Sequence, residues 1–241
     1  IYRSLKDDGN SLPDSYIEDI QEDATGNLWV RTGAGYAIYN SVSDIFDRNV
    51  EGWMWHIGIS GNPSTVYIDS EKIFWIYVAG KGIYCYKPGQ ENAVMVAGTD
   101  TLLTEMNITD MTECSEGILL AFGNGVLACL DREKLNVKWT FDGIASQWGK
   151  NQSETFTLFV DSHERVWMYS VEGMWVYHLP KKSWEVRSVR SDRSNMVRAI
   201  SQDKYGNIWI GRDQDGIEVI GLDGESVRLM NDPNNERTIS N

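Results

Sequence analysis

Apolar residues along the chain fall into short, strand-length runs separated by polar turn residues, and the runs return in sets of four. First runs lie at Tyr16 to Ile20, Thr65 to Ile68, Ile108 to Thr112, Phe156 to Val160 and Val197 to Ile200. Each is followed by a second at Leu28 to Thr32, Phe74 to Val78, Ile118 to Phe122, Val166 to Ser170 and Ile208 to Gly211. A glycine then opens a third run, at Gly35, Gly82, Gly125, Gly173 or Gly216, and a weaker apolar cluster closes each set at Phe46, Val94 to Val96, Val137 to Trp139, Trp184 and Val227 to Met230. β-branched and aromatic residues dominate these runs, and nowhere does a helical period persist long enough to supply a crossover helix. The pattern predicts five groups of four short antiparallel strands.

The turn between the first and second runs is the most regular part of each set. Asp23, Asp69, Asp161 and Asp203 each stand six residues before a tryptophan, Trp29, Trp75, Trp167 and Trp209, and a degenerate copy runs from Glu113 to Leu119. Successive anchors are 46, 44, 48 and 42 residues apart, which makes this a repeat of about 45 residues. Gly26-Asn27 and Gly206-Asn207 fall where the chain reverses and a positive φ is needed. The aspartate reads as an Asx-type cap of that turn, and the tryptophan as a large wedge between sheets.

A lone four-stranded sheet cannot bury both of its faces, so the repeats are expected to stack face to face about an axis. The expected fold class is all-β, a β-propeller of about five four-stranded antiparallel blades. The blades are expected near residues 14–49, 62–99, 106–142, 154–190 and 196–231. Residues 1–13 resemble residues 227–239 and read as the outer strand and linker of a preceding blade. On this reading the chain is an excised block that either closes with five blades or belongs to a larger ring, seven-bladed or double. Open sheet edges would favour neighbouring blades or a homodimer partner.

Composition narrows the function. With 41% hydrophobic residues and ten tryptophans in 241 residues the chain can bury a substantial core. A net charge of −13 disfavours nucleic acid and anionic membrane surfaces, and no apolar run is long enough to span a bilayer. Residues 1–15 lack the basic-then-apolar order of a signal peptide. Cys85, Cys114 and Cys129 match no metal-ligand spacing and read as buried thiols, with no metal and no cofactor expected. His56, His163 and His178 have no nucleophile at motif spacing, so no catalytic residue is assigned. Carboxylates from distant blades can still pair, which keeps a propeller glycosidase or lyase as the alternative to a binding or purely structural role.

The repeat from Ile17 through Val30 and that from Val197 through Gly211, with Asn- and Pro-containing linkers at Asn10 to Asp14 and Asn231 to Asn235, resemble the two-component regulator propeller repeat. The resemblance extends over essentially the whole chain, although the family's Gly-Thr after the tryptophan is Arg31-Thr32, Tyr77-Val78, Tyr169-Ser170 and Gly211-Arg212 here. It implies the periplasmic sensor region of a Bacteroidetes hybrid histidine kinase. Such a region would be non-catalytic, detect glycan-derived oligosaccharides, signal to polysaccharide-utilisation genes and make no direct membrane contact.

Ligand-binding residues are sought where the repeat is broken. Arg48 to Gly58 lengthens the first inter-blade connection and carries Trp53, Trp55 and His56. Ala145 to Gln152 places Gln147 and Trp148 in the connection after the third blade. Exposed tryptophans offer flat faces for sugar C–H groups, while buried ones would extend the outer strand. A local basic group, Lys181, Lys182, Arg187, Arg190, Arg193 and Arg198, has the chemistry to meet a uronate or sulfate, or to form a solvated strand with Glu185 and Asp192 as counter-charges.

Overall fold

The computed structural model describes residues 1–99, 107–148, 154–189, 196–232, 234, 235 and 238, with the side chains of residues 147, 148 and 189 outside the description. The chain groups into two compact units, Ile1–Ile108 with Leu130–Lys138, and Thr109–Cys129 with Trp139–Asn241.

In the first unit, β1 (Ile17–Glu22), β2 (Leu28–Thr32), β3 (Gly35–Asn40) and β4 (Ile45–Asp47) form an antiparallel sheet in sequence order. Helix α1 (Val50–His56) leads to a second sheet of β5 (Thr65–Ile68), β6 (Phe74–Val78), β7 (Gly82–Tyr86) and β8 (Val94–Met95). A third sheet comprises β9 (Ile108–Cys114), β10 (Gly117–Phe122), β11 (Leu127–Asp131) and β12 (Asn136–Phe141). In the second unit, α2 (Gly143–Trp148) precedes the sheet of β13 (Thr157–Val160), β14 (Arg165–Ser170), β15 (Gly173–His178) and β16 (Ser183–Val189). The last sheet holds β17 (Val197–Gln202), β18 (Ile208–Arg212), β19 (Ile217–Ile220) and β20 (Ser226–Leu229). Each expected group of four strands is therefore present as a meander sheet.

The core lies between successive sheets. Trp29 of the first sheet packs with Val66, Ile68, Phe74 and Ile76 of the second. Leu119 and Ala121 of the third pack with Phe156, Leu158, Val166 and Met168 of the fourth, and Trp167 of the fourth packs with Val197, Ile200, Ile208 and Ile210 of the fifth. Trp29, Trp75 and Trp167 are 2%, 0% and 2% exposed, whereas Trp209 is 37% exposed.

Two features depart from the expected plan. Residues 1–13 form no strand: Tyr2 instead leans on Phe46 and Tyr39, with its hydroxyl donating to Asp44, and Leu5 N–H donates to the Ser11 hydroxyl in a local turn. The first lengthened connection contains a short helix, α1, and the second lies on α2 as far as residue 148, residues 149–152 being outside the description. In α1 the buried Val50 and Met54, with Ile57 just after, recur at helical spacing, and Asn49 caps the first turn by accepting from Gly52 N–H at 3.1 Å.

Candidate functional site

The repeated aspartates are structural in geometry. Oδ1 of Asp69 accepts the N–H groups of Glu71 and Ile73 at 3.0 Å, and its Oδ2 accepts the indole N–H of Trp75 at 3.0 Å. Asp23, Asp161 and Asp203 repeat the arrangement with Trp29, Trp167 and Trp209 at 3.2, 2.9 and 2.9 Å. One carboxylate thus closes the Asx turn with one oxygen and fixes a wedge with the other. Burial pushes the Asp23 and Asp161 carboxyls up, but the hydrogen bonds they accept outweigh it and hold both below the usual carboxylate range. Asp203, bonded by the Trp209 indole and the Asn207 amide, falls to about 2. The position after the turn takes a left-handed φ in all four, through Gly26, Lys72, Glu164 and Gly206. These carboxylates are occupied by the fold, and among the described residues no group of three or more His, Cys, Asp and Glu is arranged to hold a metal.

Side chains also tie one sheet to the next. The Tyr36 hydroxyl accepts from Val66 N–H at 2.8 Å, and burial pushes its own ionisation up to about 12. The Gln21 amide bridges β5, donating to Val66 C=O at 2.9 Å and accepting from Ile68 N–H at 2.6 Å. In the second unit Asp110 Oδ2 accepts from Leu158 N–H at 2.7 Å and the Thr109 hydroxyl donates to Phe156 C=O at 2.8 Å. Buried backbone groups at sheet junctions are satisfied in this way, which stiffens the platform carrying the connections.

On that platform α1 separates its two tryptophans. Trp53 turns inward, its ring 4.6 Å from Trp29, 5.2 Å from Phe74 and 5.6 Å from Tyr86. Trp55 turns outward and is 69% exposed, beside an exposed His56 and with Glu51 on the same helix. Sequence spacing alone groups Trp53, Trp55 and His56; the helix turns Trp53 into core and leaves Trp55 and His56 at the surface. The polypeptide after the helix is held by Ala93 N–H donating to Ile57 C=O at 2.8 Å and by Lys81 Nζ donating to the Ser60 hydroxyl at 2.7 Å.

The other candidates disperse. Gln147 and Trp148 lie on α2, which its buried Ile144 seats against the core cluster of the second unit. Arg193 is outside the described residues. Arg198 is ion-paired with Asp213 at 2.9 Å, and Lys182 pairs with Glu116 while lying over the Trp139 ring. Of this basic group, Lys182 and Arg198 therefore find acidic partners in Glu116 and Asp213, and Arg190 and Asp192 lie outside the described residues. Among the thiols, burial drives Cys85 up to about 11, whereas a hydrogen bond with Cys129 lowers half-buried Cys114.

Comparison with known proteins places these features. The family model for the two component regulator propeller matches residues 11–34 and 191–211, the Asp–Trp turns of the first and last sheets with their approaches. In these two segments the chain is similar to two-component regulator propeller repeats. Among solved structures, the extracellular domain assigned to the B. thetaiotaomicron hybrid two-component system BT3049 matches with a TM-score of 0.60 at 17% identity, over 91% of this chain and 28% of that one. The corresponding domain assigned to system BT4673 of the same organism matches with a TM-score of 0.65 at 18% identity, over 95% of this chain and 31% of that one. Virginiamycin B lyase from Staphylococcus aureus matches with a TM-score of 0.60 at 13% identity, over 94% of this chain and 72% of that one. At such identities the likeness is one of fold, a β-propeller, and the chain spans about a third of the length of the two extracellular domains. The search of curated proteins finds no significant match.

Sequence reasoning missed the indole-to-carboxylate bond, although the constant six-residue spacing was its signal. It also missed the tyrosine and glutamine ties between sheets, which leave no periodic trace. The third sheet omits the Asp–Trp pair altogether: Leu119 fills the wedge position, fully buried, and the turn shrinks to Ser115-Glu116.

Proposed function

We propose that this regulator propeller is a non-catalytic, extracytoplasmic sensing segment of a two-component signalling receptor, facing the periplasm and binding glycan-derived oligosaccharides. The observation that supports it is the regulator-propeller match on the first and last sheets. The likeness in fold to extracellular domains of two-component systems is in keeping with it. In this reading a histidine kinase elsewhere in the parent protein carries the signal to polysaccharide-utilisation genes. The ligand acts by preferring one of two receptor arrangements, since equal affinity for both shifts nothing.

The contact surface we assign is the outer face of α1. Trp55 presents an aromatic plane on which sugar C–H groups stack, and His56 and Glu51 supply hydrogen-bonding groups beside it. Rigid attachment through Met54 and Trp53 keeps the ordering cost of binding low.

A thermal-shift screen against plant, microbial and mucosal oligosaccharides tests the reading. At about 100 times Kd a ligand stabilises the native state by roughly 2.7 kcal/mol. For a chain of this size that moves the midpoint by roughly 5 to 11 °C. A selective shift that leaves the sugar intact, and that Trp55→Ala removes, is the expected result. A shift accompanied by consumption of the sugar would instead favour the alternative of a propeller glycosidase or lyase. Silence across the panel would reject the oligosaccharide ligand.

A further inference from the structure

Cys114 and Cys129 are well separated in sequence, yet the third sheet brings their side chains together. Cys114 ends β9 and Cys129 lies on β11, and the two thiols share a hydrogen bond. Cys129 is fully buried among Leu119, Ala121 and Leu127, while Cys114 packs on the same cluster from a half-buried position that solvent reaches. The backbone N–H groups of Glu116, in the turn, and Gly117, at the start of β10, also donate to the Cys114 sulfur. One end of the pair is thus sealed in apolar side chains, and the other is lined by N–H dipoles that favour negative charge.

Strand order decides what such a pair can do. β10 stands between β9 and β11. Two strand spacings therefore separate the backbones, about 9 to 10 Å. A disulfide needs Cα atoms within about 7 Å of each other. The thiols meet through their side chains without being able to join, and they remain two soft donors even in an oxidising compartment. Structural zinc takes four ligands, and among the described residues no group of three or more His, Cys, Asp and Glu is arranged to hold a metal. Two thiolates alone satisfy a soft monovalent cation of linear coordination, of which copper(I) is the physiological case. A linear sulfur–metal–sulfur unit is a little longer than a thiol–thiol hydrogen bond, so rotation of the two side chains accommodates it.

We infer that Cys114 and Cys129 form a two-coordinate site for copper(I) in the third sheet. Each sulfur exchanges its proton for a bond to the metal: copper(I) and two thiols give a bis-thiolate complex of single negative charge, and two protons pass to solvent. No electron is transferred. The Glu116 and Gly117 N–H groups face that charge, and Leu119, Ala121 and Leu127 keep water from the Cys129 sulfur. Cys85 lies on β7 of the second sheet and takes no part. The site stands independently of the saccharide proposed for α1.

Transfer of copper(I) from its bicinchoninate complex to the reduced 241-residue chain tests the inference. About one copper(I) per chain is expected to leave the chelator, and X-ray absorption of the product is expected to show sulfur ligands only. Cys114→Ser and Cys129→Ser are each expected to leave the copper with the chelator, whereas Cys85→Ser takes it up as the wild type does. Copper that stays with the chelator in the wild-type chain, that either of the first two variants still takes up, or that depends on Cys85 overturns the inference. So does a disulfide between Cys114 and Cys129 in the air-oxidised chain, read by counting free thiols after denaturation. Circular dichroism confirms folding of each variant, and Cys129→Ala replaces Cys129→Ser if the buried hydroxyl prevents folding.

Discussion

The indole nitrogen of Trp75 donates to the carboxylate of Asp69 at 3.0 Å, and both side chains are almost completely buried. Replacing Asp69 by alanine strands that indole N–H together with the N–H groups of Glu71 and Ile73. The expected loss is about 3 kcal/mol or more, with Asp69→Asn costing about half as much because the amide oxygen still accepts. Urea unfolding of both variants measures the difference.

The depressed carboxyls set a pH dependence. Asp23, Asp161 and Asp203 ionise more readily in the folded chain than in the unfolded one, Asp203 at about 2. Their contribution to stability is therefore fully present above the unfolded value of about 4 and disappears as pH falls through the folded values. Urea midpoints are expected to be level from about pH 7 to 5 on account of these groups and to drop from about pH 4 downward. Asp161→Asn, which no longer titrates, should flatten that drop.

Turn glycines differ in cost. Gly26 and Gly206 both hold a positive φ, at 82° and 89°, but a Cβ on Gly206 would meet Leu222 Cδ2 at 2.9 Å while one on Gly26 has no neighbour nearer than 3.8 Å. Gly26→Ala is expected to cost about 1 kcal/mol and Gly206→Ala somewhat more, about 1 to 2 kcal/mol. Lys72 and Glu164 adopt the same conformation with full side chains, so neither substitution should prevent folding. Thermal midpoints of the two variants rank them.

The two tryptophans of α1 should separate stability from binding. Trp53→Ala removes a ring packed against Trp29, Phe74 and Tyr86 and is expected to cost about 2 to 3 kcal/mol. Trp55→Ala, at an exposed position, should change stability by less than about 0.5 kcal/mol while abolishing the ligand-induced thermal shift. A ligand-induced shift that survives Trp55→Ala would move the site off the outer face of this helix.

Tyr36→Phe isolates a tie between sheets. It leaves Val66 N–H buried without the hydroxyl that accepts it, at an expected cost of about 1 to 2 kcal/mol. Faster hydrogen exchange at Val66, measured by NMR, is the accompanying sign.

Strand number, order and spacing were legible in the sequence because period-2 runs and Asp–Trp turns are local patterns that recur. The helices at Val50–His56 and Gly143–Trp148 were not, since about two turns with a glycine in each carry too little periodicity to stand out from a loop. Trp53 and Trp55 show the limit for the site: two positions apart in sequence and alike in chemistry, they are parted only by the turn of a helix that tertiary packing creates. Arg198 and Lys182 show it again, as their acidic partners Asp213 and Glu116 lie 15 and 66 residues away in sequence.

The first and second, the third and fourth, and the fourth and fifth sheets each join a tryptophan or leucine wedge to apolar side chains contributed by the following repeat. The fourth sheet is thus both key and lock, covering the leucine of the third and offering its own tryptophan to the fifth. Removing or adding a whole repeat of about 45 residues would leave every surviving junction of the same type, whereas cutting within a repeat would separate a carboxylate from its indole. Segment length in such a chain is free to change in whole blades and strongly penalised in fractions, so a protein of this design can grow or shrink without redesigning its interior.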